Sequence, residues 1–308
     1  MVEIKASQVK ELRERTGAGM MECKSALTEA QGDMEEAIKI LRKKGLAAAA
    51  KKAGRITSEG VVGTRVDRDA AAIVEVNCET DFVAQNQDFR NLVSGILQLV
   101  LSGKPESNEA LLEMRWPDDA EGHTVQQIIS TSIAKIGENI SLRRFERYDT
   151  APNAVVGEYV HGNGRIGVLV QLEVEAGSAE AWGDVAREVA MHVAAAEPRF
   201  LSREEVTTRD LDAEREIARE QALKSGKPEA VVEKIVSGKM EKFYGESVLL
   251  EQPYIRDDKL TVQQMLAGRS KDLGGKARIA RFTRFKLGEG LEKRSDDFAA
   301  EVMAQART

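Results

Sequence analysis

The sequence predicts an α+β fold: a small N-terminal three-helix domain, then two related subdomains, each a three-stranded antiparallel sheet with helices on one face. An antiparallel helical hairpin is inserted into the second subdomain, and a short C-terminal stretch follows. Three observations predict this. The apolar period is helical up to residue 52 and changes to two from Gly60. The order of strands and helix that starts at Val62 returns 94 to 96 residues later. A charged helical stretch with no counterpart in the first copy lies inside the second. The boundaries are 1–54 for the N-terminal domain and 55–150 for the first subdomain. The second occupies 151–198 and 246–287, the hairpin 199–245 and the C-terminal module 288–308.

In the N-terminal unit, Val9 and Leu12, then Cys23, Ala26, Leu27 and Ala30, fall at helical spacing on either side of Gly17-Ala18-Gly19. Asp33-Met34-Glu35-Glu36 is a capping-box pattern that starts a third helix burying Ala37, Ile38 and Leu41. The far end is basic, with Arg42, Lys43, Lys44, Lys51, Lys52 and Arg55, as suits a helix C-terminus. So few residues bury only a small core, so the unit reads as an appendage.

From Gly60, Val62, Thr64 and Val66, then Val74, Val76 and Cys78, read as two paired strands around Asp67-Arg68-Asp69. A helix follows with Phe89, Leu92, Val93, Ile96, Leu97 and Val100 on one face. Residues 102–122 read as a polar loop, Thr124-Val125-Gln126-Gln127 opens another helix, and Ile140 to Phe145 is a third strand. The second copy answers it. Val156-Gly157 repeats Val62-Gly63, Val170, Leu172 and Val174 repeat Val74, Val76 and Cys78, and Val185, Val189 and Val193 repeat Phe89, Val93 and Leu97. Thr261-Val262-Gln263-Gln264 repeats the second helix start, and Phe282 and Arg284 answer Leu142 and Arg144.

The insertion carries a charged helix from Asp210 to Lys224, a turn at Ser225-Gly226-Lys227-Pro228, and a second helix. That helix sets Val232, Ile235, Val236, Lys239, Met240 and Phe243 on one stripe, which is expected to need a partner.

Several chemistries are excluded. The cysteines Cys23 and Cys78 are far apart, so neither a disulfide framework nor a cysteine zinc site is expected. His123, His161 and His192 are too scattered for a metal cluster, and no cofactor is expected. Gly162-Asn163-Gly164-Arg165-Ile166-Gly167 matches GxGxxG but runs from strand to strand, so it reads as a hairpin turn. The Gly-Lys pairs lack the following Ser or Thr of a phosphate loop, and no catalytic cluster stands out, so the chain is not expected to be an enzyme. The formal net charge of −6 argues against general nucleic-acid binding. Lys276, Arg278, Arg281, Arg284 and Lys286 around Phe282 and Phe285 could serve RNA, but a strand with a wet charged face is the plainer reading. No apolar run approaches the ~20 residues of a membrane span, and the first residues lack an apolar signal region, so a cytoplasmic location is expected. His192, on the apolar segment Met191-His192-Val193-Ala194-Ala195, reads as a satisfied, partly buried side chain, and Cys78 as a small buried hydrophobe. His161 reads as an exposed turn residue.

One stretch is unusual. Thr80-Asp81-Phe82-Val83 falls between strand and helix, where the other copy has the plain Ala176-Gly177-Ser178-Ala179. An aromatic beside a carboxylate there is either a core plug with a helix cap or a recognition element, and the plug is the commoner.

At these residues the chain resembles the elongation factor Ts family, the guanine-nucleotide exchange partners of the GTPase elongation factor Tu. Leu12-Arg13-Glu14-Arg15-Thr16-Gly17-Ala18-Gly19-Met20-Met21-Glu22-Cys23-Lys24 looks like that family's first signature. Glu75-Val76-Asn77-Cys78-Glu79-Thr80-Asp81-Phe82-Val83 looks like its second. Tyr159-Val160-His161-Gly162, Met191-His192-Val193-Ala194-Ala195, Ser225-Gly226-Lys227-Pro228, Gly288-Glu289-Gly290-Leu291-Glu292-Lys293 and Asp297-Phe298-Ala299-Ala300-Glu301 also fit. Gln85 departs from the pattern, and the loops around 103–123 and 267–278 look longer than usual.

The resemblance implies a UBA-like N-terminal domain, a coiled-coil form for the inserted antiparallel hairpin at 199–245 and a helical C-terminal module at 288–308. It implies that Thr80, Asp81, Phe82 and Val83 contact the GTPase domain and disturb its Mg²⁺ site. Arg13, Met20 and Met21 would also meet that domain, and His161 another domain of elongation factor Tu. The implied partner is elongation factor Tu, GDP-bound and nucleotide-free, with a homodimer or 2:2 complex through the core and hairpin as an assembly, and neither membrane nor nucleic acid as a direct partner.

Overall fold

Gly17 stops the first helix. Its backbone is left-handed at φ 66°, which lets its N–H reach the Arg13 carbonyl at 2.8 Å. Helix α1 (Ala6–Thr16) therefore turns sharply into α2 (Met20–Glu29), and α3 (Met34–Lys52) closes the unit over fully buried Leu12, Cys23, Ala26, Leu27 and Ala37. The computed structural model describes residues 4–292 except 118, 120 and 225–227. Asp33 caps α3 by accepting from the Glu36 N–H at 2.9 Å, while the Glu36 carboxylate turns to Lys39, so the cap is one-sided. Leu41, expected in the core, is only partly buried; Gly45, one turn on, is buried and faces Ser130 and Ala134 across the contact with the first subdomain.

The first sheet is β1 (Glu59–Val66), β2 (Ala70–Cys78) and β3 (Ile140–Asp149), antiparallel in that order. Between β2 and β3 run α4 (Asp81–Ala84), α5 (Gln87–Gly103), α6 (Asn108–Glu113) and α7 (Val125–Ile136). Phe89, Ile96 and Val100 of α5 cover Val74, Val76 and Cys78 on one face of the sheet. The second copy repeats the plan with β4 (Ala154–His161), β5 (Ile166–Ala176) and α8 (Gly183–Ala196). After the inserted hairpin of α9 (Thr208–Leu223) and α10 (Glu229–Ser247) come β6 (Pro253–Tyr254) and β7 (Asp257–Thr261). Then α11 (Val262–Asp272) and β8 (Lys276–Lys286) complete the sheet order β4-β5-β8. Thr124 and Thr261 each head a full capping box with the Gln three residues on, which accounts for the repeated Thr-Val-Gln-Gln.

The repeated Val-Gly has a packing cause. A Cβ on Gly63 would lie 2.9 Å from Leu97 Cδ1, and one on Gly157 would lie 2.3 Å from the Ala186 carbonyl carbon. Each glycine lets the covering helix settle onto its sheet.

Four sequence expectations are corrected. The strand at 276–286, read as having a wet charged face, buries Phe285 on the side away from the helices, where the two sheets pack back to back through Val62, Ala71, Ile73, Tyr148, Val156, Leu169 and Phe285. Every residue of β2 is buried as a result. The stretches read as loops at 103–123 and 267–278 are partly regular, since α6 buries Leu111 in the first and α11 runs into the second. The third strand, read as 140–145, continues to Asp149. The apolar stripe of α10 does not await a partner: Val232, Met240 and Phe243 are buried, the last two in a cluster with Val206 and Val248 against Phe200 and Leu211. Buried Ala218 and Ala222 on α9 let the two helices approach. The Ser225–Lys227 turn and the C-terminal module beyond residue 292 lie outside the described residues.

The GxGxxG segment is a hairpin turn, as expected: Gly162, Asn163 and Gly164 all have positive φ, and His161 pairs with Ile166. His192 is buried completely rather than partly. It bonds Gln252 Oε1 at 3.0 Å through Nε2 and accepts from the Ile255 N–H through Nδ1. Among the described residues no helix is long and apolar enough to cross a membrane.

Candidate partner-binding site

Strand β2 ends at Cys78, whose buried thiol points to the Thr80 carbonyl at 3.1 Å. Burial pushes this thiol up to about 12, so it is a neutral, inert donor. Thr80 is extended, at φ −130° and ψ 155°, and is the N-cap of the single-turn helix α4. Its hydroxyl accepts from the Val83 N–H at 3.4 Å and donates to Glu138 Oε1 at 2.7 Å. The Thr80 N–H donates to the other oxygen of Glu138 at 3.0 Å.

Within α4 the side chains divide. Val83 packs against the first core and Ala84 is buried, whereas Asp81 and Phe82 face outward. Phe82 is 82% exposed, the highest value among the exposed large hydrophobic side chains of the described residues. The core-plug reading of Phe82 is therefore overturned. Val83, Ala84 and Phe89 form the core beneath the turn, and the Phe82 ring stands outside it. In the second copy the aromatic of the strand-to-helix connection, Trp182, is fully buried.

The turn is anchored on both flanks. Glu79, next to Thr80, accepts from the Asn139 N–H at 2.6 Å and from Arg55 at 3.2 Å. Asn139 donates its side-chain amide to the carbonyls of Ala53 and Arg55, and Lys52 reaches the Gly137 carbonyl at 2.7 Å. On the other side Asn86 caps α5 through the Asp88 N–H at 2.8 Å. Residues 137–139 thus join the strand exit to the end of α3.

The other sequence-derived candidates lie on separate elements. Arg13 is exposed on α1, and Met20 and Met21 stand on the first turn of α2 at 58% and 76% exposure. Two exposed thioethers at a helix start give an adaptable apolar surface. His161 ends β4, is exposed, and its Nδ1 lies 3.1 Å from the Tyr159 hydroxyl. Thr80, Asp81, Phe82 and Val83 are brought together in one turn; Arg13, Met20 and Met21 share the α1–α2 unit; His161 sits at a hairpin tip.

Sequence reasoning missed Glu138, Glu79 and Asn139. No local signal marks Glu138; in the structure Gly137 before it ends α7 in a left-handed conformation at φ 90° and Glu138 then meets Thr80.

The basic strand β8 offers little to a nucleic acid. Lys276 pairs with Glu175 at 2.6 Å, Arg278 with Glu173, and Arg284 and Lys286 with Glu197. Phe285 is buried under Arg144 and Phe282 is packed against the second core, so neither ring is free to stack on a base.

Known proteins are similar to this chain over nearly its whole length. A family model described as Elongation factor TS matches residues 79–289, from Glu79 to Glu289, and so takes in the anchored turn. The protein named Elongation factor Ts of Syntrophotalea carbinolica is 50% identical over 306 residues, covering 99% of this chain and 100% of the relative. Those of Clostridium kluyveri and Clostridium tetani are 51% and 49% identical over 304 residues, each covering 98% of this chain, and 98% and 99% of the respective relatives. With the similarity running end to end and the exposed ring set in the matched stretch, the chain belongs to the elongation factor Ts family.

Proposed function

We propose that this chain is a guanine-nucleotide exchange factor that binds elongation factor Tu, displaces Mg²⁺ and promotes GDP release, so that GTP can rebind during translation elongation. Family membership supports the exchange role, and one observation carries the mechanism: Phe82 is 82% exposed on a turn whose flanks are fixed. An isolated large apolar group held rigidly toward solvent is suited to fill a pocket in a partner.

The chain performs no bond chemistry in this reading. A factor that binds the nucleotide-free GTPase more tightly than its GDP form weakens GDP binding by the same ratio. The metal shields the β-phosphate charge, so disturbing its ligands loosens metal and nucleotide together. Phe82 drives the shift by entering a pocket that is open in the nucleotide-free state, and Asp81 beside it supplies a carboxylate on the same exposed face. Thr80 and Val83 act from behind, as cap and anchor. Arg13, Met20 and Met21 form a second contact with the GTPase domain, and His161 a third with another domain.

A cytoplasmic location and an assembly of two copies, as a homodimer or 2:2 complex through the core and hairpin, belong to the same proposal. On the hairpin, the exposed residues Ile217, Leu223 and Val231 support it, not the covered stripe of α10. Stopped-flow release of a fluorescent GDP analogue from elongation factor Tu tests the function. Release accelerates with added factor if the reading holds; unchanged release at saturating factor contradicts it.

A further inference from the structure

We infer that Glu138 is a positioning residue for Phe82, fixing from outside the turn the direction in which α4 presents the ring. The inference rests on the exchange reading above and extends it to a residue outside both sequence signatures.

Helix α4 has only four residues, too few to hold itself, because one turn fixes several dihedrals for little hydrogen bonding. Its C-terminal half is held by Val83 and Ala84 in the core. Its N-terminal half depends on Thr80, and both donors of Thr80 go to one carboxylate, that of Glu138, at 3.0 and 2.7 Å. Hydrogen bonds to an ionised acceptor are the stronger kind, and two to one group set direction as well as distance. With its hydrogen directed at Glu138, the Thr80 oxygen offers its lone pairs to the Val83 N–H, which starts α4.

Glu138 is itself held. Gly137 before it receives Lys52, and Asn139 after it bonds Glu79, Ala53 and Arg55. The corner is therefore fixed to the end of α3 and to the strand exit at once. A displacement of Glu138 would pass to Thr80 and from there to the ring. Recognition geometry of this kind depends on the supporting contacts as much as on the contacting group.

The test uses the full chain with Glu138→Ala, Glu138→Gln, Phe82→Ala and the double variant Glu138→Ala/Phe82→Ala. Glutamine keeps one acceptor for the Thr80 N–H and can donate to the Thr80 oxygen, so it should restore the turn. In the free protein, Glu138→Ala is expected to speed amide hydrogen exchange across 80–84 by about tenfold, and Glu138→Gln by much less. With elongation factor Tu, Glu138→Ala is expected to lower the acceleration of GDP release roughly tenfold, and to add little once Phe82 is alanine. If Glu138→Ala does not fold, Glu138→Asp leaves the Thr80 cap in place but draws the carboxylate one methylene back from both Thr80 donors, and is expected to show a smaller change in both readings. Wild-type behaviour of Glu138→Ala in both arms overturns the inference. So does an equal loss of exchange with and without Phe82, which would place Glu138 in another role. A wild-type chain that leaves GDP release unchanged contradicts instead the proposed function on which the inference stands.

Discussion

Phe82 and Val83 are consecutive residues of one helical turn that face opposite ways: Val83 packs into the first core while Phe82 is 82% exposed. Helix geometry sets successive side chains about a hundred degrees apart, so one turn can hold Val83 and Ala84 against the core and keep Phe82 on the solvent side. Val83 holds the turn, and Phe82 is free to contact something else. The consequences can be checked one at a time.

Glu75 is fully buried on β2 and joins distant parts of the chain. Its carboxylate accepts from Arg143 at 2.8 Å, Arg144 at 2.7 Å and the Gly288 N–H at 2.8 Å. Glu75→Ala leaves the partly buried Arg143 without its anion and Arg144 with Glu289 alone, at 3.4 Å, and is expected to cost about 3 kcal/mol. Thermal unfolding reads the loss, and amide exchange at Gly288 should rise with it. An unchanged melting temperature would show that the arginines relax to water without cost.

His192 gives the fold a pH dependence. The Ile255 N–H donates to Nδ1, so the proton sits on Nε2 and points to Gln252, whose own amide is committed to the carbonyls of Ala196 and Glu246. A second proton on Nδ1 would face a donor. Burial accordingly lowers the imidazole below its ordinary value of 6.5. The unfolded chain then binds the proton first, so stability present above that ordinary value is lost as pH falls through it toward the lower folded value. The melting temperature is therefore expected to fall with pH once pH drops below the ordinary value, and to hold above it. His192→Asn should flatten this part of the melting-temperature profile; an unaltered profile would assign the pH dependence to other groups.

The hairpin has an inside and an outside. Met240→Ala opens the covered cluster and is expected to destabilise the hairpin by about 2–5 kcal/mol, seen as faster proteolysis within 208–247. Ile217→Glu with Leu223→Glu changes only exposed positions and should leave the melting temperature in place. If the hairpin serves assembly, the double variant lowers self-association or partner retention, measured by light scattering, more than it lowers GDP release. Lost exchange with an unchanged assembly state would reverse that division of labour.

Much of this was legible in the sequence, because period, caps and repeats are local. Val74, Val76 and Cys78 gave the buried register of β2, Thr124 and Thr261 marked two helix starts, and Val-Gly marked two close helix contacts. The back-to-back sheets were not legible, since Glu75 and Asn77 look like wet-face residues until Arg143, Arg144 and Gly288 are seen around Glu75. The covered stripe of α10 was hidden for a similar reason: Phe200, Val206 and Val248 lie far from it in the pattern or just beyond it. At the candidate site the turn and its exposed pair were legible once the family resemblance was weighed. Glu138 was not, because its contact with Thr80 spans 58 residues and nothing in Gly137-Glu138-Asn139 announces it.

The central claim is that Phe82 acts on the partner and not on the fold. The most direct measurement sets Phe82→Ala against wild type in two readings: thermal unfolding of the free protein and stopped-flow GDP release from elongation factor Tu. Burying a Phe side chain is worth ~1.5–3 kcal/mol, so the coupling to GDP release should fall roughly tenfold to a hundredfold at ~1.4 kcal/mol per decade. The melting temperature should hardly move, since the ring is 82% exposed. A drop in stability of about 3–5 kcal/mol, the cost of removing a core aromatic, with near-normal GDP release by the folded fraction, would contradict the claim.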